Sequence, residues 1–241
     1  MTRSLLERSL PEPLLNAYWL YRRNRLRKRL QGLSVKDVFT LIYSERLWGK
    51  PSDDGEEYFS GSGSHNPLIV ERYVAAVAKW ISSLGGKPDV VDLGCGDFAV
   101  GAKLREFCGG YIACDVVEPL IARNRKRYRE LNVDFRVVDL AADELPDGRI
   151  GLLRQVLQHL PNAAISAIVP KLQGKYEYLV LTEHFRSSAQ PTGNPDKPAG
   201  PDWRGVVLTA EPFNLRARES TLLCEVPDQG GMIRTTLHRL R

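Results

Sequence analysis

The chain has 241 residues, 43% of them apolar and 26% charged, an ordinary globular balance with enough length to bury a sizeable core. No apolar run approaches the roughly 20 residues of a membrane-spanning helix, and no secretory start is seen, so a cytoplasmic location is expected. Cys95, Cys108, Cys114 and Cys224 lack C-x-x-C spacing, and His65, His159, His184 and His238 are dispersed, so reduced thiols and no metal are expected.

The net charge of +5 is concentrated in one place. Residues 22 to 29 hold six basic groups and no acid, which leaves the rest of the chain at −1. Within the first 57 residues, Leu15, Trp19, Leu26 and Leu30 recur at helical spacing with arginines between them. This basic helix has three readings: a solvated face of a docked helix, a peripheral contact with an anionic membrane, or a nucleic-acid contact. A second helix is predicted over Val35 to Trp48, N-capped by Ser34 and ended by Gly49 and Pro51. The glycine-serine stretch from Ser60 to Ser64 then reads either as a linker or as a loop that closes on a ligand, with Ser62 and His65 as its candidate contacts. The expected division is a helical cap with this loop over 1–65 and a second unit over 66–241.

From Pro67 onward helices and strands alternate. A helix to about Leu84 stops at Gly85-Gly86. There follow a strand over 89 to 93, a helix over 99 to 107 and a strand from Tyr111 to Asp115. A helix over 117 to 130 leads to a strand from Val133 to Val138, and a strand from Ile150 to Arg154 comes next. A helix over 162 to 173 and a strand from Tyr178 to Thr182 complete the alternation. This pattern predicts a parallel sheet covered on both faces. Ser220 to Val226 and Met232 to Leu240 are joined by too few residues for a parallel crossover, so the final strand is expected to be antiparallel.

The first strand, Val90 to Leu93, runs into Gly94-Cys95-Gly96-Asp97. Apolar residues ending in a carboxylate, then a glycine turn, describe a nucleotide-cofactor cradle. Gly94, Gly96 and Ala99 also satisfy the G-x-G-x-x-A pattern of dinucleotide-binding sheets, with Asp115 near the expected acid position. Asp92 and Asp97 on either side of the turn would repel a diphosphate and suit a cationic ligand without phosphate. Asp115, at the end of the second strand, can accept from two ribose hydroxyls.

VVDLGCGDFAVG is similar to the first motif of class I S-adenosylmethionine-dependent methyltransferases. The resemblance covers about residue 66 to the C-terminus. It implies a seven-stranded Rossmann-like sheet, mostly parallel with an antiparallel last strand, beneath the N-terminal helical cap. It implies S-adenosylmethionine as cofactor and S-adenosylhomocysteine as product. Asp92, Gly94, Cys95 and Gly96 would then line the methionine half, Asp139 and Leu140 the adenine, and the Arg154 to Leu160 segment, including Gln155, the methyl group. Less firmly, Ile42-Tyr43, Leu47-Trp48-Gly49, Ser60 to Ser64, and Glu211 to Leu215 resemble a bacterial subgroup associated with surface-polysaccharide or other glycan modification.

The expected reaction is methyl transfer to a small-molecule or sugar-containing acceptor, at oxygen. A base is needed only where the acceptor must lose a proton. His159, Glu183 and His184 are the candidates, and because neighbours on a strand point to opposite faces, only one of the last two is expected to face the site. The proline-rich stretch from Ser187 to Asp202 reads as a substrate lid. Arg204 reads either as a clamp for an acidic acceptor group or as a surface ion-pair partner. A nucleic-acid (RNA) methyltransferase using the arginine patch and a dinucleotide-dependent oxidoreductase remain alternatives. Against the first, Gln155 to Gln158 stands where an Asn-Pro-Pro-Tyr or Asp-Pro-Pro-Tyr segment would hold a nucleobase amino group.

Overall fold

A computed structural model describes residues 11–50, 57–186 and 193–241. Helix α1 spans Glu12–Leu30 and α2 spans Val35–Ser44. The Ser34 hydroxyl accepts the Asp37 amide at 3.1 Å, the expected N-cap. The second helix stops four residues short of Trp48, where Arg46 takes a left-handed φ of 54°. A single turn, α3, covers Ser62–His65, and α4 covers Pro67–Ser83, ended by Gly85 and Gly86 with φ of 73° and 68°.

The strands are β1 (Val90–Leu93), β2 (Tyr111–Asp115), β3 (Asp134–Val137), β4 (Ile150–Arg154), β5 (Tyr178–Phe185), β6 (Glu219–Asp228) and β7 (Gly231–Arg239). They form one sheet in the order β3-β2-β1-β4-β5-β7-β6, and β7 pairs antiparallel with both of its neighbours. Between strands lie α5 (Gly101–Leu104), α6 (Glu118–Arg127) and α7 (Asn162–Lys175). The sheet is thus the seven-stranded, mostly parallel arrangement expected, with its one reversed strand.

Two local departures bear on the site. The helix expected over 99 to 107 starts two residues late, at Gly101, and its last turn, Arg105–Phe107, is a 3-10 turn; before it Phe98 adopts a left-handed φ of 64° and buries its ring edge-on among Tyr111, Tyr128 and Phe135. Strand β5 runs three residues beyond Thr182, since β7 continues to pair with it: Glu183 faces Arg234 and His184 faces Ile233. Glu183 and His184 therefore lie within the strand, not past its end.

The N-terminal segment is not separate from the sheet. Leu30, Val38, Phe39, Ile42 and Tyr43 belong to the same buried cluster as Leu93, Leu153 and Leu181. The predicted stripe on α1 is real in part: Leu15 and Leu30 are buried and Leu26 packs against the core, while Trp19 stays 42% exposed.

Candidate active site

Parallel strands β1, β2 and β4 all point their carboxyl ends at one edge of the sheet, where the order reverses between β1 and β4. The glycine turn leaves β1 there. Gly94 and Gly96 have φ of 82° and 56°, and a Cβ on Gly94 would stand 2.5 Å from Val156 Cγ2. A Cβ on Gly96 would overlap the Ser60 hydroxyl. Glycine is required at both positions by conformation and by space.

The amides of this turn are all engaged inside the protein. Gly94 and Cys95 N–H donate to the Cys114 carbonyl at 2.8 Å, Gly96 N–H to Asp115 Oδ2 at 3.1 Å, and Asp97 N–H to Ser60 Oγ at 2.8 Å. Phe98 N–H goes to the Cys95 carbonyl and Ala99 N–H to Asp97 Oδ1. A phosphate group is bound at such a turn by free N–H groups on a following helix. Here six consecutive amides from Gly94 to Ala99 are occupied.

Carboxylates take the place such donors would have. Asp115 accepts Gly96 and Val117 amides on its two oxygens, and burial raises its carboxyl to about 6 against those bonds. Asp92 accepts the Tyr111 hydroxyl at 3.1 Å, and burial raises it to about 7 despite that bond and the nearby Arg154 guanidinium. Asp97 is different. Burial works to raise it, yet His65 and the amides of Ser60 and Ala99 bring it below the ordinary aspartate value.

Asp97 is therefore a clamp on the glycine-serine loop. Its Oδ2 takes the Ser60 amide at 2.8 Å and His65 Nε2 at 2.6 Å, while the Ser60 hydroxyl meets Tyr43 of α2 at 2.9 Å. The same loop is held from β4: Arg154 donates to the Ser64 hydroxyl at 3.2 Å and to the Gly63 carbonyl, with its guanidinium over the Tyr73 ring. Arg154 Nε is buried and has no partner.

Above this edge lies a cavity of about 1210 Å³. It exceeds the roughly 300–1,000 Å³ of a single small-molecule site and has room for two molecules side by side. Asp92, Gly94, Cys95, Gly96, Asp115, Asp139, Leu140, Gln155 and Ser62, all singled out from the sequence, line it together. Val116, Val138, Leu140 and Ala141 give it one apolar wall. Asp139 Oδ1 already accepts the Ala141 and Ala142 amides. Gln155 takes a left-handed φ of 55° at the end of β4, a strained placement of the kind found at functional sites.

The three candidate bases separate. His184 lines the cavity, stacks on Trp203 at 3.8 Å, and makes a 3.0 Å bond from Nε2 to the Asp228 carbonyl. That bond puts the proton on Nε2 and leaves Nδ1 as the acceptor, 3.9 Å from the Asp228 carboxylate. Burial lowers its pKa, so the ring is neutral near pH 7. Glu183 does not line the cavity; its side chain is buried near the Arg204 guanidinium and the Gln158 and Val206 backbone, and burial raises its pKa well above the glutamate value. His159 lines the cavity, but Nδ1 faces the Gly200 and Asp202 carbonyls and Nε2 faces Gln158. Burial holds it near 4, and its Nδ1 anchors the Gly200–Asp202 loop.

Two substrate candidates lie away from the cavity lining. His65 does not line the cavity, because its ring nitrogen is held by Asp97 and its face is stacked on Phe59. Arg204 is buried, donates to the Leu160 carbonyl and the Asn162 side chain, and also lies off the cavity. Of the expected lid, 187–192 fall outside the described residues. The part that is described is fixed: Asn194 bonds the Val207 and Glu211 carbonyls, and Gly200 bonds His159.

Sequence reasoning missed several supports. Asn124, fully buried on α6, donates to the Gly96 carbonyl at 2.8 Å, and Tyr128 donates to the Asp97 carbonyl. Arg154 lies in the segment predicted to end β4, but its hold on Ser64 and Gly63 is not readable there. Trp203 and Asp228 come from remote segments, and no local pattern joins them to His184.

No protein-family model and no curated protein matches the chain. Solved structures do match in fold. N-methyltransferase NodS from Bradyrhizobium japonicum WM9, in complex with S-adenosylhomocysteine, is 16% identical with a TM-score of 0.60, over 83% of this chain and 97% of that one. Magnesium protoporphyrin IX methyltransferase from Synechocystis PCC 6803, with bound S-adenosylmethionine, is 16% identical with a TM-score of 0.56, over 86% and 97%. The N-terminal domain of EvdMO1, in the presence of S-adenosylhomocysteine and D-fucose, is 17% identical with a TM-score of 0.55, over 91% and 97%. The chain shares the Rossmann-like fold of these proteins.

Proposed function

We propose that the protein binds S-adenosylmethionine and moves its methyl group to an oxygen of a small-molecule or sugar-containing acceptor. The engaged amides of residues 94 to 99 carry this reading: the turn has no N–H groups for a dinucleotide's diphosphate, and the carboxylates around it suit an ammonium and a sulfonium. Structural neighbours that hold the same donor or its product support it. D-fucose in the EvdMO1 structure, with the glycan-associated sequence resemblance, supports a sugar-containing acceptor.

The residues fit that group. Asp115 has a lone pair to spare on each oxygen for the ribose hydroxyls, Asp92 lies ready for the ammonium, and the unpartnered Arg154 Nε is suited to the carboxylate. Val116, Val138 and Leu140 would cover the adenine, with Asp139 Oδ2 at its amino edge. When bound, the cofactor supplies a methyl carbon activated by the positive sulfur.

The chain's own task is then to align and to dry the site. Holding two reactants in line is worth roughly 7 to 11 kcal/mol, and Ser60 to Ser64, pinned by Asp97 and Arg154, closes one side of the cavity. His184 Nδ1 accepts the proton of an attacking hydroxyl, and the Asp228 carboxylate steadies the charge that this places on the ring. Incubation with methyl-labelled S-adenosylmethionine and a panel of sugar and hydroxyl acceptors tests the reading. Label on acceptor oxygen is expected; label only on nitrogen or sulfur would refute the choice of atom.

A further inference from the structure

Two groups of charge line the cavity: Asp92, Asp115 and Asp139, with Arg154, at the sheet edge, and helix α1, which contributes Tyr18, Trp19, Arg22, Arg23 and Arg25. The arrangement follows from helix periodicity. Leu15, Leu26 and Leu30 dock the helix by one stripe, and at 100° per residue the row Tyr18, Arg22, Arg25 and Arg29 runs directly beside it. Docking the apolar stripe therefore turns that row toward the cavity.

The charge of this wall is largely uncompensated. Arg29 is held by both oxygens of Glu45, an acid that also lines the cavity. Arg22 lies 5.7 Å from the Tyr18 and Trp19 ring centres. Arg23, Arg25 and Arg46, which also line the cavity, have no acid partner among the described residues. Arg27 and Lys28, on the same helix, are off the cavity.

Resting on the methyltransferase reading, we infer that α1 is a specificity wall: Arg22 and Arg25 bind an anionic group, of phosphate or diphosphate type, carried by the methyl acceptor. Guanidinium pairs match phosphate oxygens in fork geometry, and Tyr18 and Trp19 offer flat faces to the uncharged part of the same molecule. The separation of charge also sorts the two ligands, since the cationic donor is drawn to the acids and the anionic acceptor to the arginines. The phosphate could reach the wall free in solution or on a lipid, and the chemistry at the arginines is the same.

Calorimetric titration with inorganic diphosphate, with and without saturating S-adenosylhomocysteine, tests the inference. Saturable binding is expected to weaken at least tenfold in the double variant Arg22→Gln/Arg25→Gln. It should change less than twofold in Arg27→Gln/Lys28→Gln, which removes equal charge from the same helix outside the cavity. A parallel arm measures co-sedimentation with vesicles of phosphatidylcholine containing phosphatidylglycerol. Diphosphate binding assigns a free phosphorylated acceptor; sedimentation lost only in the cavity pair, without diphosphate binding, assigns a lipid-borne one. Equal effects of the two double variants, or no binding in either arm, would overturn the inference. Loss of S-adenosylhomocysteine binding by the unsubstituted protein would instead sink the cofactor reading and leave the diphosphate result to stand by itself.

Discussion

The two ends of the cavity are built in opposite ways. At the sheet end each component is buried and multiply held: Gly96 is fixed through its amide by Asp115 and through its carbonyl by Asn124, and Asp97 gathers three partners on one carboxylate. At the α1 end the wall is a helix with two buried side chains, and its cavity-facing arginines reach into solvent. A site that must seat one invariant cofactor benefits from rigid backbone geometry, whereas an acceptor site on an appended helix can change its chemistry without disturbing the sheet.

The substitutions that sharpen this contrast differ in size. His184→Ala is expected to have the largest effect, lowering turnover by about 10²-fold or more, with S-adenosylhomocysteine affinity unchanged in calorimetry. A fully active variant would remove it as the base. Arg154→Met comes next, with about a tenfold loss of affinity for S-adenosylhomocysteine, as expected for one lost charge-assisted contact. Affinity for 5′-methylthioadenosine, which lacks the amino-acid part, should not move; equal losses for both ligands would make Arg154 a support of the loop alone.

The acids predict a pH dependence of two signs. Asp115 near 6 and Asp92 near 7 are held above their ordinary value by burial, so in the proposed complex Asp92 must ionise to pair with the ammonium and Asp115 to accept from both ribose hydroxyls. Affinity for S-adenosylmethionine is expected to fall about tenfold or more from pH 8 to pH 5. Stability of the free protein should run the other way from these two groups. A raised carboxyl contributes fully below its unfolded value, roughly 3.9, and that contribution is lost as pH rises through 6 and 7. Affinity that is flat with pH would separate both acids from the cofactor.

Asp97→Ala should have the smallest effect on chemistry and act on stability, costing on the order of 1–3 kcal/mol by orphaning the Ser60 amide. A shifted denaturation midpoint would show it. Because the folded pKa of Asp97 is lowered, its contribution is present above the unfolded value and is lost as pH falls through the folded one.

The same division governs what was legible in the sequence. The alternation of strands and helices, the reversed β7 and the positions of Asp92, Gly94, Gly96 and Asp115 follow from periodicity and local turn chemistry, which a short window contains. The strand order and the employment of the amides do not. Ser60 and His65 reach Asp97 across more than 30 residues, so the clamp that Asp97, which also lines the cavity, places on the glycine-serine loop was not legible. Glu183 and His184 were inseparable until the register with β7 fixed which of them faces inward, and His159 and Arg204 could not be told from site residues before the 194–204 segment was placed. The arginine row was visible as charge. Its orientation depended on which stripe of α1 docks.

The cofactor assignment underlies the rest, and a competition titration tests it most directly. S-Adenosylhomocysteine is expected to bind with one-to-one stoichiometry, to lose at least tenfold in affinity on Asp115→Ala, and to remain bound when NAD is added in excess. Displacement by NAD, or NAD binding that itself depends on Asp115 while S-adenosylhomocysteine does not bind, would contradict the account.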